Sequence, residues 1–146
     1  MKKAYKVMLT FFQIQNSLKF YHWKTTSYAR HKALDKYMKK FLKRMDEFIE
    51  TYQGKYGRIT FEKEEKKDVV VYQIEPKDLD RYLNCVIGFL NGEKDKDCKK
   101  YKISNKENYC DVSILEIIDK NDYDMLNIRD EILGLTNQLK YLITLT

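Results

Sequence analysis

The chain has only two histidines, His22 and His31. Both lie close to acidic residues whose spacing could serve a metal ion. His31 and Asp35 are four residues apart, and so are Asp46 and Glu50. On a helix, residues at that spacing share a face. At about 100° per residue, His31, Asp35, Asp46 and Glu50 fall within an arc of about 100°. Imidazole and carboxylate ligands converging there suit iron, which accepts mixed nitrogen and oxygen donors. Taken singly, each residue has a bland reading. His22 would be a structural histidine at a helix end, His31 a surface residue of a first turn, and Asp46 and Glu50 solvated helix charges. It is their joint spacing that points to metal.

One chain cannot close such a site. Asp35 and Asp46 are eleven residues apart, ~16 Å along a helix. However, His31 and Glu50 are symmetric about the midpoint between residues 40 and 41, as are Asp35 and Asp46. Two copies of the helix packed antiparallel about a dyad at that midpoint would set His31 opposite the partner's Glu50. Asp35 would then face the partner's Asp46, and each dimer would hold two equivalent sites. Tyr37, Met38, Phe41 and Met45 are expected to flank this dyad. The apolar stripe is expected beside the ligand arc, with most lysines across from it.

These residues need long helices to position them. Val7, Phe11, Ile14, Leu18 and Tyr21 form one helical stripe, which predicts a first helix over 4–24. Lys24-Thr25-Thr26-Ser27 then reads as a turn. Leu34, Met38, Phe41, Met45, Phe48 and Tyr52 predict a second helix over about 28–53, with Gly54 placed to stop it. The short connection makes the two an antiparallel hairpin. Within 55–76, Ile59 to Phe61 and Val69 to Ile74 are β-prone; they read equally as strand-like pieces or as extended segments of a long connection. Pro76 can open a third helix carrying Leu79 to Leu90 and ending at Asn91-Gly92. Residues 93–110 read as a lysine-rich loop or insertion, and 112–118 as a short helix. Asn121 or Asp122 can cap a last helix whose stripe runs from Met125 to Leu142. The expected fold class is all-α: one domain, 1–146, built as a ferritin-like four-helix bundle with a long crossover between the second and third helices.

The chemistry-bearing residues resemble the iron site of Dps-type miniferritins. That family carries His-Trp late in the first helix, then His-x-x-x-Asp, then Asp-x-x-x-Glu eleven residues on. The chain has His22-Trp23, His31 to Asp35, and Asp46 to Glu50, with the same eleven-residue step from Asp35 to Asp46. Its loop between His22 and His31 is shorter than the family's. The resemblance implies an iron-binding ferroxidase with a di-iron site across a dimer two-fold. His22, His31 and Asp35 would come from one subunit, and Asp46 and Glu50 from its neighbour. It also implies a homo-oligomer of two-fold dimers, with a dodecameric iron-storing shell as one outcome. The Glu-x-x-His pairs of other ferritin-like proteins are excluded, because no histidine follows His31. Segments 27–34, 52–58 and 126–131 are also similar to short ferritin-like proteins of phages and large DNA viruses. That likeness keeps a second reading open: a non-enzymatic Dps-like structural or DNA-packaging protein, even a virion component.

Composition bounds the remaining choices. The formal net charge is +6, nearly all of the positive charge from lysine. A lysine-coated surface and salt-dependent, non-specific attraction to DNA both fit it. There is no apolar run long enough to span a membrane and no signal-peptide pattern, so the expected location is the cytoplasm, or a virion if the protein is viral. The three cysteines, Cys85, Cys98 and Cys110, show no C-x-x-C spacing, and their odd number argues against a closed disulfide set. Cys85 is expected as a core thiol. Cys98 and Cys110 flank a charged stretch and could pair or bind metal. Trp23 is expected to be a packed aromatic.

Overall fold

The computed structural model describes residues 4–93, 98, 101 and 112–146. Helix α1 spans Ala4–Lys24, α2 Tyr28–Tyr56, α3 Leu79–Asn91 and α4 Tyr123–Ile143. The stripe predicted for α1 is buried throughout, as is that for α2 from Leu34 to Tyr52. Ser27 caps α2 by accepting a hydrogen bond from the Arg30 backbone N–H. Gly54 does not stop the helix. α2 continues to Tyr56, and Gly57 ends it with φ near +100°, its N–H bonded to the Gln53 carbonyl. A glycine inside a helix costs only about 1 kcal/mol. The positive φ that ends the chain's helical run falls three residues later.

Arg30 shows how the four helices are directed. Its guanidinium donates to the Tyr21 hydroxyl, the Pro76 carbonyl and the Thr146 hydroxyl. The ends of α1 and α4 and the beginnings of α2 and α3 therefore meet at one pole. At the other pole, Lys55 and Tyr56 of α2 bind Asp122, the cap of α4. α2 and α3 thus run parallel, and α1 and α4 run against them. α2 packs on both α1 and α4, and α3 packs on α4. Contact between α1 and α3 is made by Phe11 against Phe89, ring centroids 5.4 Å apart, and by the Tyr82 hydroxyl donating to Gln13 Oε1 at 2.7 Å. Every neighbouring pair is antiparallel, so the α2–α3 connection must traverse the whole bundle.

That crossover, residues 57–75, is extended, and no strand occurs among the described residues. Its β-prone runs have no strand to pair with among the described residues; a turn at 62–65 is closed by the Glu65 N–H on the Glu62 carbonyl, and further N–H groups bond to side chains. The Tyr72 N–H donates to Ser17 Oγ of α1, and the Ile59 N–H to Gln53 Oε1. Ile74 enters the core, and Lys67 lies over the Tyr5 ring. After it, Pro76–Asp78 forms a 3-10 turn that leads into α3, and Gly92 closes α3 in the left-handed region. The helix expected at 112–118 is only a 3-10 turn, Ile114–Glu116.

Cys85 is not a free core thiol. It is bonded to Cys98, with their Cα atoms 5.4 Å apart. Asn91-Gly92 reverses the chain and returns Cys98 to α3, a proximity that a thirteen-residue separation conceals. Cys110 lies outside the described residues.

Asp122 is the chief polar tie at its pole. Its buried carboxylate accepts from the Met125 N–H, Lys55 Nζ and the Tyr56 hydroxyl. Burial alone would disfavour its charge, but the Lys55 and Tyr56 bonds outweigh that and hold its pKa at about 2. A depressed carboxylate stabilises the fold above its unfolded pKa and loses that contribution as pH falls through the folded value. Wild-type stability should therefore decline between about pH 4 and pH 2. Asp122→Ala should lower stability at neutral pH by roughly 2–3 kcal/mol and flatten that acid limb, as read by urea unfolding across pH. An unchanged acid limb would assign it to other carboxylates.

Candidate metal half-site

The turn between α1 and α2 brings together three of the five candidate ligands. His22 and His31 stack with ring centroids 4.0 Å apart. His31 Nδ1 lies 3.0 Å from the His22 carbonyl oxygen. A carbonyl can only accept, so Nδ1 carries the proton and the lone pair of Nε2 is free to bind a cation. Metal-binding histidines are commonly oriented by such a bond from the other ring nitrogen. His22 Nε2 is 3.8 Å from Asp35 Oδ1.

His22 is 7% exposed, and neither of its ring nitrogens has a hydrogen-bond partner. Burial lowers its pKa first, and the neighbouring His31 and Lys19 lower it further against the opposing pull of Asp35. The imidazole is therefore held neutral, the form that ligates metals. An unsatisfied buried imidazole beside a carboxylate fits an iron ion better than it fits a purely structural role. For Asp35, desolvation opposes ionisation, but Lys39 and the nearby imidazole and Lys19 overcome it, so its pKa is lowered. The carboxylate is charged and available to a cation.

Asp46 and Glu50 are not at this cluster. Both are exposed on α2, and neither makes a hydrogen bond or ion pair among the described residues. The unbroken helix keeps Asp46 ~16 Å along its axis from Asp35. Among the described residues, no three His, Cys, Asp or Glu side chains of one chain gather closely enough to hold a metal ion. The bundle interior offers no alternative, since its centre is filled by Phe11, Phe41, Phe48 and Phe89.

The surroundings differ from expectation in three respects. Tyr37, Met38, Phe41 and Met45 point into their own subunit's core and cannot flank a dyad. The apolar residues within the ligand arc are Leu42, 41% exposed, and the half-buried Ile49. Trp23 is not packed in the subunit: it is 69% exposed, with Lys19 Nζ 5.8 Å from its ring. The lysines do not all lie across from the arc. Lys39 lies within it and pairs with Asp35 at 3.4 Å. Its i+4 spacing from Asp35 is the signal that could have revealed this. On α1, Phe12, Lys19 and Trp23 share one exposed face by their spacing of seven and four residues. Lys19 acts electrostatically on both His22 and Asp35, which places that face beside the half-site.

No curated protein and no solved structure matches the chain. A family model matches residues 22–105, a stretch that begins at His22 and contains all five candidate ligands. Over that match, more than half of its length, the chain belongs to DUF5856, a family of unknown function.

Proposed function

We propose that this protein is a miniferritin of the Dps type, which oxidises ferrous iron at a site shared across a dimer two-fold. The observation that carries the reading is the half-site: a buried, neutral His22 with unpartnered nitrogens, stacked on a His31 whose Nε2 is left free, beside an ionised Asp35. This constellation has two neutral donors and one anionic donor, too few to enclose two iron ions. Antiparallel pairing about the midpoint between residues 40 and 41 brings the partner's Asp46 and the partner's Glu50 to complete it. Those two carboxylates are exposed and make no ion pair among the described residues. Phe12, Trp23 and Leu42 supply exposed apolar surface for the interface.

Iron here is substrate. Two bound ferrous ions give up one electron each. A peroxide takes both, its O–O bond breaks, and two protons are consumed to form two waters. Dioxygen would take the same two electrons and two protons to become hydrogen peroxide. The chain's part is to hold the ions at a fixed distance with carboxylates and imidazoles.

The test is anaerobic titration of the purified protein with cobaltous and ferrous ions, followed by addition of peroxide. Saturable uptake of two ions per subunit and a peroxide-dependent ferric absorbance are expected. A dimer that binds neither ion saturably would overturn the reading.

A further inference from the structure

We propose that the groove between α2 and α4 receives an acidic amphipathic helix from another protein. The groove opens as two cavities of about 650 and 580 Å³, one toward each end. Its floor is shallow on one side, where the apolar residues of α2 are Ala29 and Ala33; the Asp35–Lys39 pair also lines this end. On the other side α4 offers Leu135 and Leu142, and the turn after it Leu145, spaced seven and three residues apart and incompletely buried, with Leu145 63% exposed. A strip of that kind accommodates the apolar ridge of a helix.

Above the floor, α2 carries Lys36, Lys40 and Lys43, all exposed. None makes an ion pair or hydrogen bond among the described residues. Their neighbours are committed: Lys39 to Asp35, and Arg44 to Glu47 and Glu131. On α4 the facing wall has no acid beyond Glu131. Three uncompensated ammoniums in steps of four and three residues match a helix bearing acids at i, i+4 and i+7. Charge complementarity over an apolar floor gives such a partner both its register and its orientation. None of this chain's four helices carries acids at that spacing, so a second copy does not supply the occupant. A nucleic acid would satisfy the lysines but leave the leucine and alanine floor uncovered. The groove meets the metal half-site at Asp35, but its leucines and its unpaired lysines are no part of that site, and the inference stands whether or not the protein oxidises iron.

The probe is a fluorescein-labelled helical peptide with leucines on one face and glutamates at i, i+4 and i+7 beside them, titrated into the full-length protein. Saturable binding is expected, weakened at least about tenfold by Lys36→Glu, Lys40→Glu and Lys43→Glu together. The corresponding Lys→Gln triple should fall between that variant and wild type, with helical circular dichroism unchanged in both. A scrambled peptide of the same composition should bind at least about tenfold more weakly. The proposal is overturned if the scrambled peptide binds equally, if the charge-reversed protein binds as wild type, or if a single-stranded oligodeoxynucleotide binds more tightly than the peptide.

Discussion

Asp46→Asn is expected to weaken cobaltous and ferrous binding at least about a hundredfold while leaving the subunit's stability within about 0.5 kcal/mol of wild type. The separation of the two effects follows from position. Asp46 is exposed on the middle of α2 and makes no ion pair among the described residues, so the described fold does not lean on its carboxylate. It also stands ~16 Å along the helix from Asp35, too far to share an ion with the His22–His31–Asp35 cluster of the same subunit. A half-site working alone would be indifferent to this substitution. A shared site loses one of its three anionic ligands, which leaves more of the charge of two divalent ions uncompensated. Isothermal titration under anaerobic conditions reads the affinity, and urea unfolding reads the stability. Wild-type affinity in Asp46→Asn would remove Asp46 from the ligand set.

Phe11→Ala should have the largest effect on stability, about 3–5 kcal/mol. Phe11 is almost wholly buried, and its ring meets Phe41 and Phe48 of α2 and Phe89 of α3 at centroid distances between 5.4 and 6.0 Å. It joins α1 to both α2 and α3. The surrounding phenyls are themselves buried, so the cavity would not collapse readily. The loss should appear as a shifted midpoint in urea with little change in slope. A cost below about 1 kcal/mol would mean that the aromatic cluster rearranges, contrary to the tight packing described here.

The helices were legible because their apolar residues recur at helical spacing. Each residue of the Val7 to Tyr21 stripe, and each from Leu34 to Tyr52, is buried as that spacing requires. Chain direction was legible too, since a short α1–α2 turn and a long crossover admit few arrangements. Local features that depend on distant partners were not. Gly54 and Gly57 look equally able to end a helix, and only the backbone shows which adopts positive φ. The β-prone run 69–74 becomes extended chain because its edge meets Ser17 and the α1 surface rather than a strand. Cys98 reaches Cys85 only after the reversal at Gly92.

At the candidate site, the identities of His22, His31 and Asp35 were readable from spacing, and their proximity follows from the hairpin. The stacking of the two imidazoles and the bond from His31 to the His22 carbonyl were not, because they depend on the exact entry angle of α2 after its Ser27 cap. The residues expected to flank the proposed dyad were misjudged for a simpler reason. A residue near the middle of a helix can face either its own bundle or a neighbour, and Phe41 and Met45 belong to the stripe that faces inward. Leu42, one position away, is the one that faces out.

The most direct measurement is subunit mixing. Asp35→Asn and Asp46→Asn homodimers should each fail to oxidise ferrous iron. Exchange of subunits between them, followed by native mass spectrometry, produces mixed dimers. In each of these, one site has both aspartates intact and the other has neither. The account predicts that mixed dimers recover about half of the wild-type oxidation per dimer, in proportion to their abundance. Subunits that exchange completely yet recover no oxidation would contradict a site shared across the two-fold.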